Sequence, residues 1–304
     1  MNLTHVLAFH RVATAGSFVA AARFAGVSQP TLSTQVRQLE QTTGLELFAR
    51  SGRQIRLTSD GERLLMATRQ LVHCIGEVEQ VLTANAGQTR GVLKVAADSA
   101  LHVIPVLAEM KRTHAGLRFS LAIANSSVVL KTVENGSADV GVSARRPESA
   151  CLQALKLRED RLVLLVPKGD RWASRKQINL AELAGRDLVS REQGSMTREV
   201  LEAQLRELHV SPAQVLDVET REGVMEAVAA AFGVGVVFQS EAGNDPRLIR
   251  LSIRGADLAV AEYVVTRRDR PSSVLITRFL ETAQLVALRR RWIGTAAGLR
   301  SALR

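Results

Sequence analysis

Two groups of residues in this 304-residue chain have types and spacing that could do chemistry, and both recognise rather than react. The first is the run SQPTLSTQVR, Ser28 to Arg37. A helix opening at Ser28 would aim its free backbone amides at a phosphate, while Gln29, Thr31, Ser33 and Thr34 could reach the base edges of double-stranded DNA. Ser28 reads as an N-cap, and Pro30 falls in the first turn, where a missing amide proton does no harm. Arg37, with Arg50, Arg53 and Arg56 just beyond, suits backbone phosphates or the minor groove, although any one of them alone is also an ordinary solvated charge. The second group is three polar loops, each expected to follow a strand and open a helix: Asp98-Ser99, Asn125-Ser126-Ser127, and Ser195-Met196-Thr197 followed by Arg198. Hydroxyls and free amides at helix N-termini make anion sites, and Arg198 adds a formal charge. The same Ser and Thr side chains could instead simply cap their own helices.

Reactive chemistry finds little support. The six histidines show no metal-ligand spacing, Gly233-Val234-Gly235 lacks the third glycine of a dinucleotide loop, and no nucleophile elbow is present. No metal, cofactor or enzymatic activity is expected. Cys74 and Cys151 stand too far apart for a CxxC pair, which fits a reducing compartment. The first residues lack the basic and apolar regions of a signal peptide, and the longest apolar run, Ala227 to Phe238, is too short to span a bilayer. A cytoplasmic protein without a membrane partner is therefore predicted. A net charge of +10 favours a polyanionic partner, but residues 1–90 carry nine Arg, no Lys and six acids, so position must matter more than total charge.

These groups need elements to hold them. Leu3, Val6, Leu7, Phe9 and Val12 make one apolar helix face, Gly16 ends that helix, and Ser17 caps a second over Phe18 to Phe24. Gly26 makes the tight turn, Val27 is expected to pack inward, and a third helix runs from Ser28 to about Thr42 and closes at Gly44. Leu47 to Leu57 reads as two short strands around a Ser-Gly turn. A long helix follows, from about Ser59 to Ala84. Its positions Leu64, Leu71, Ile75, Val78 and Leu82 form a heptad seam for pairing with a second copy, or else a face packed on its own domain. After a hinge near Gly91, strands and helices alternate, with strands including Leu162–Pro167 and Ala259–Thr266, which argues for α/β architecture with largely parallel sheets.

The spacing of Ala22, Gly26-Val27, Leu32 and Val36 is that of a helix-turn-helix. Together with Ser17-Phe18, Ala20-Ala21-Ala22, Val27-Ser28-Gln29-Pro30, Ser33, Gln38-Leu39-Glu40, Leu45, Leu47-Phe48, Arg50 and Leu57-Thr58-x-x-Gly61, it resembles the LysR-type transcriptional regulators over nearly the whole chain. Thr34 stands where that pattern often has a basic residue. The resemblance implies an all-α winged helix-turn-helix over residues 1–58 and a dimerising linker helix and hinge over 59–90. It further implies a two-lobed α/β effector domain, like periplasmic solute-binding proteins, over 91–304. Lobe 1 would cover about 91–162 and 266–288, lobe 2 about 163–265, with a tail over 289–304. Crossings between lobes would fall at Arg161–Val163 and Val264–Arg267. A small-molecule effector in the cleft, a homodimer or tetramer, and RNA polymerase are the implied partners. Ile123–Ser126, Ala138–Val140, Arg191–Arg198, Glu226–Ala230 and Asp245–Leu248 are similar to the LysR regulators associated with 2-aminoethylphosphonate catabolism genes. On that resemblance the three loops and Arg198 would hold the phosphonate, and Asp98 would meet the ammonium.

Overall fold

The structure, a computed structural model, describes residues 2–51, 54–84, 91–114, 116–269 and 274–290. It divides into two compact units that meet in sequence at Gly91 and Val92. In the first, α1 (Leu3–Ala15), α2 (Phe18–Ala25) and α3 (Gln29–Thr43) precede a two-stranded wing, β1 (Phe48–Ser51) and β2 (Gln54–Leu57), and the long α4 (Ser59–Ala84). Each of the first three helices ends on a glycine in the left-handed region, Gly16, Gly26 and Gly44, with φ of 65°, 66° and 69°. A Cβ would strain that conformation, so glycine is the residue that stops each helix cleanly. Val6, Phe9, Val12, Ala22, Leu32, Val36, Leu39 and Leu47 share one core. The Phe48 ring pins the wing to it, 5.3 Å from Phe9 and 5.8 Å from Phe18. Thr58 donates its amide to the Leu47 carbonyl at 3.1 Å and accepts from the Gly61 amide at 3.0 Å. A Cβ on Gly61 would collide with that same carbonyl, which is why the start of α4 carries glycine there.

The second unit holds β3 (Gly91–Ala97), α5 (Ala100–Thr113), β4 (Leu117–Ile123), α6 (Ser126–Glu134), β5 (Val140–Ser143), β6 (Leu152–Pro167) and β7 (Gln177–Asn179). These are followed by β8 (Leu188–Arg191), α7 (Met196–Glu207), β9 (Val215–Val218), α8 (Arg221–Ala229), β10 (Val234–Phe238), β11 (Leu248–Arg254), β12 (Ala259–Arg267) and α9 (Val274–Arg289). The strands run β4-β3-β5-β12-β6-β10-β8-β9, with β11 and β7 branching from β6. β3–β5, β8–β9 and β8–β10 are parallel, whereas β12 and β6 pair antiparallel with their neighbours, so the sheet is mixed rather than largely parallel. Two lobes result. Around the first half of the path, α5 and α9 cover one face and α6 the other. Around the second half, α7 and α8 bury alternate residues of β6, with Leu162, Leu164 and Val166 facing one cluster and Val163 and Leu165 the other.

β6 is the first crossing. It pairs with β12 as far as Arg161 and with β10 from Leu162. The strand starts ten residues before the expected Leu162, because the charged stretch Lys156–Arg161 neutralises itself; the buried Arg158 donates to the partly buried Asp160 at 2.8 Å. The second crossing differs from the expectation of Val264–Arg267. β12 itself passes between the lobes: Val260 packs in the second lobe's core and Val264 in the first lobe's, with a register shift between Glu262 and Tyr263, so the return falls within β12 a few residues before the expected stretch. The tail expected over 289–304 lies outside the described residues beyond Arg290.

Candidate functional site

The face of α3 is built by its caps and its core. The Ser28 hydroxyl accepts from the Thr31 amide at 3.2 Å and bonds the Thr31 hydroxyl at 2.8 Å, so these two side chains fix the helix start. Leu32, Val36 and Leu39 are buried, which turns Ser28, Gln29, Pro30, Thr31, Ser33, Thr34 and Arg37 outward, and all seven are exposed. Val27 does not pack inward as expected. It is 40% exposed, because the left-handed turn at Gly26 carries the chain back to the surface before Ser28. Glu40, on the inner side of α3, accepts from the amides of Leu47 and Phe48 at 2.9 and 3.3 Å and so sets where the wing begins. On the wing Arg56 is exposed; Arg53 and the side chain of Arg50 lie outside the described residues. The surface therefore offers a polar, solvent-exposed helix face, its start capped by Ser28, together with a wing strand carrying the exposed Arg56. Along α4, Leu64 and Leu71 are half-buried against the core of their own domain. Ile75 is half-buried, Val78 is 58% exposed, and the side chain of Leu82 lies outside the described residues.

In the second unit a cleft opens at the carboxyl ends of the strands, where α/β sheets bind ligands. Six of the nine expected residues line it: Asp98, Asn125, Ser126, Ser195, Met196 and Thr197. Gly194, at φ 88°, lets the loops of the two lobes close on each other: the Ser127 amide donates to the Gly194 carbonyl at 3.4 Å, and a Cβ on Gly194 would crowd Asn125 and Ser127. Asn125 Oδ1 caps α6 by accepting from the Val128 amide, whereas the hydroxyls of Ser99 and Ser195 do not cap their helices. Ser99 instead accepts from Arg221 at 3.1 Å, and Ser127 belongs to a neighbouring groove. Arg198 does not face the cleft. It pairs with Glu202 and Asp217 at 2.6 and 3.0 Å, and Arg191 stands at the cleft in its place.

The floor is one that sequence reasoning missed. Four carboxylates line the cleft: Asp98, Asp160, Glu241 and Glu262, together with His102. Arg158 pairs with Asp160, Arg221 with Glu241, and Arg191 with Glu192 at the rim. Among the described residues the nearest guanidinium to the Asp98–Glu262 pair is that of Arg158, its Nε 4.0 Å from Glu262 Oε2. Asp98 Oδ2 accepts from the Ser126 hydroxyl at 2.7 Å and the Ala144 amide at 2.6 Å. Glu262 Oε1 meets His102 Nδ1 at 2.6 Å, and His102 Nε2 bonds the Ser240 hydroxyl at 3.1 Å. Burial, then the charge of Glu262, pushes Asp98 up to about 6. Burial pushes Glu262 up to about 8 against the opposing pull of Arg158, and it pushes His102 down to about 4. Near neutral pH the imidazole is therefore uncharged and the carboxyl pair retains a proton. The ligating atoms of Asp98, His102 and Glu262 lie within 4.8 Å of one another, the spacing of a metal site. Both imidazole nitrogens are already engaged and the Arg158 guanidinium stands beside Glu262, so these side chains are held by bonds to one another and to Ser240. The only sequence signal was a lone acid in the apolar strand AVAEYVV.

The family description "LysR substrate binding domain" matches residues 86–287, and "Bacterial regulatory helix-turn-helix protein, lysR family" matches residues 3–62. The chain belongs to the LysR family. It is a DNA-binding transcriptional regulator with an effector-binding domain, and the relatives it matches are named as transcriptional regulators. One of them, the RuBisCO operon transcriptional regulator of Allochromatium vinosum, is 29% identical over 286 residues, covering 92% of this chain and 95% of the relative. Among solved LysR structures, a full-length OxyR variant from Pseudomonas aeruginosa superposes with a TM-score of 0.75 at 20% identity, covering 94% and 95% of the two chains. Full-length CbnR in complex with its target DNA gives 0.68 at 23% identity, covering 94% and 100%. These two likenesses carry the fold alone. Among the described residues no helix is long and apolar enough to cross a membrane.

Proposed function

We propose that this LysR regulator reads a specific DNA sequence through α3 and the wing and is switched by a small zwitterion, of which 2-aminoethylphosphonate is the representative. The observation that carries the reading is the polarity of the cleft. At one side lie the free amides of the α7 N-terminus with Ser195, Thr197 and Arg191; at the other lies the acidic floor containing Asp98. An oxyanion suits the first and an ammonium the second. A plain anion would sit beside four carboxylates, whereas a zwitterion satisfies both ends. Closure of the lobes on such a ligand would shift how subunits pair, and so the DNA beneath them, because a ligand biases an equilibrium only through unequal affinity for its two states. A homodimer or tetramer paired through α4, a cytoplasmic setting and contact with RNA polymerase complete this reading.

The test is calorimetric titration of the full chain with 2-aminoethylphosphonate and with ethylphosphonate, which lacks the amine. It is paired with binding to the DNA upstream of its own gene, with and without each ligand. Tight binding of the aminophosphonate, weak binding of ethylphosphonate and a ligand-dependent change on DNA are expected. Tighter binding of a plain anion would refute the zwitterion. No binding to the upstream DNA at low salt would refute sequence reading.

A further inference from the structure

The floor of the cleft can be taken further, on the zwitterion reading just given. The charged groups facing Glu262 come from every element packed around it. They are Asp98 after β3, His102 on α5, Arg158 and Asp160 on β6, and Glu241 after β10, which is itself held by Arg221 of α8. Four carboxylates face two guanidinium groups and a neutral imidazole, so the fully ionised cluster would carry two uncompensated negative charges out of water. Such a cluster must take up cations, as protons or as part of a ligand. A second observation locates where. Glu262 is 4% exposed, it lines the cleft, and among the described residues its Oε2 receives no hydrogen bond from an amide, hydroxyl or cation, only the Asp98 carboxyl standing within reach. A buried acceptor left without a donor is costly, and a primary ammonium supplies three donors in a compact head.

We infer that Glu262 and Asp98 form a buried subsite for the primary ammonium group of the effector, and that filling it expels the proton held by the empty pair. The step balances: the ammonium enters with its charge, the carboxyl O–H of the pair is given up to solvent, and the cleft gains no net charge. Glu262 thereby becomes the residue that distinguishes amines from isosteric neutral ligands, and effector binding becomes linked to pH. Because the pair holds a proton up to about pH 8, affinity should rise roughly fifteenfold in all from about pH 6.5 to 8 and level off above that. The sign is set by release: a proton lost on binding makes alkaline conditions favourable. His102 stays neutral across this window and does not mask the effect.

The experiment uses the full chain and its Glu262→Gln variant. Calorimetry of 2-aminoethylphosphonate near pH 7, in buffers of unlike ionisation heat, should read release of close to one proton by the wild type beyond that of the variant, so that titration of the phosphonate itself cancels. 2-Aminoethylsulfonate, whose anion does not titrate near neutrality, is the second probe and should give the same difference. Independently of any ligand, the infrared difference between wild type and Glu262→Gln should contain a protonated-carboxyl band at pH 7 that fades above pH 8. Equal proton release by the two proteins overturns the inference, as does absence of the band. So does loss of the band on adding Mn²⁺ or Zn²⁺ alone, which would make the cluster a metal site. A protein that binds neither aminophosphonate nor aminosulfonate but shows the band refutes the effector reading above while supporting the protonated pair.

Discussion

Removing the Glu40 carboxylate should loosen the wing without touching any residue that faces DNA. Its Oε1 accepts two amides, Leu47 N at 2.9 Å and Phe48 N at 3.3 Å, both partly buried at the root of β1. Hydrogen bonds to a charged acceptor contribute about 1.5–3 kcal/mol each, and the longer one belongs at the bottom of that range, so Glu40→Ala should cost about 3 kcal/mol locally. Glu40→Gln keeps an oxygen but loses the charge, and should cost about 1 kcal/mol. Hydrogen exchange of the segment 44–58 reads this directly: about 3 kcal/mol of lost protection is roughly a hundredfold faster exchange at Leu47 and Phe48. The consequence for function follows from what the wing carries. If Arg50, Arg53 and Arg56 neutralise phosphates, freeing the wing should lower the salt dependence of DNA binding by about two to three counterions. Exchange within threefold of wild type in Glu40→Ala, together with an unchanged salt slope, would refute the claim that α3 positions the wing through this carboxylate.

Three further outcomes are expected. Gln29→Ala should relax discrimination at one base pair by about 1–3 kcal/mol, whereas Arg56→Ala should weaken all sequences alike and reduce the salt slope by about one, as read by binding to operator and scrambled DNA. Gly235→Ala would drive a methyl to 2.7 Å from Val228 and 2.8 Å from Val224, so unfolding followed by the buried Trp172 should show a loss of about 1–3 kcal/mol. The ligand-free effector unit should lose stability as pH rises from 6.5 to 8. There the native state still holds the Glu262 proton that the unfolded chain has released, while His102, lowered to about 4, acts only below 6.5. The fall should be about 2 kcal/mol and should vanish in Glu262→Gln, in chemical denaturation across that range.

What could be read in the sequence was whatever depends on near neighbours. The Ser28 cap, the glycines at 16, 26 and 44 and the inward pair Leu32 and Val36 are decided within one or two turns, and the exposed face of α3 follows from them by exclusion. The loops at Asp98, Asn125 and Ser195 were legible for the same reason, since a polar residue between a strand and a helix has few places to point. Arg198 was misread because the first turn of α7 brings it under Glu202 and Asp217, and Asp217 is adjacent only through the β8–β9 pairing. His102, Arg158, Glu241 and Glu262 come from four distant segments, and nothing local signals that a strand crossing between lobes will stack them. Charge pattern misled in β6 as well, where Arg158 and Asp160 look like surface residues until each is seen to neutralise the other.

The two ends of the cleft belong to different lobes, and this is why the charge pattern bears on switching as well as on affinity. Asp98 follows β3 in the first lobe and Glu262 stands on β12 where that strand passes between the lobes, whereas Arg191, Ser195 and Thr197 belong to β8 and α7 in the second. Polar bridges already join the lobes, His102 to Ser240 and Ser99 to Arg221, so closure needs no ligand to be possible; it needs one to be preferred. A molecule with a single charged end gains most of its interaction from one lobe and binds open and closed forms nearly alike. A zwitterion with a short spacer makes its second set of contacts only when the lobes meet, and the whole of that second set is differential affinity. On this reasoning, occupancy of the cleft and switching on DNA separate: ethylphosphonate at saturating concentration should fill the anion end yet leave the DNA complex unchanged.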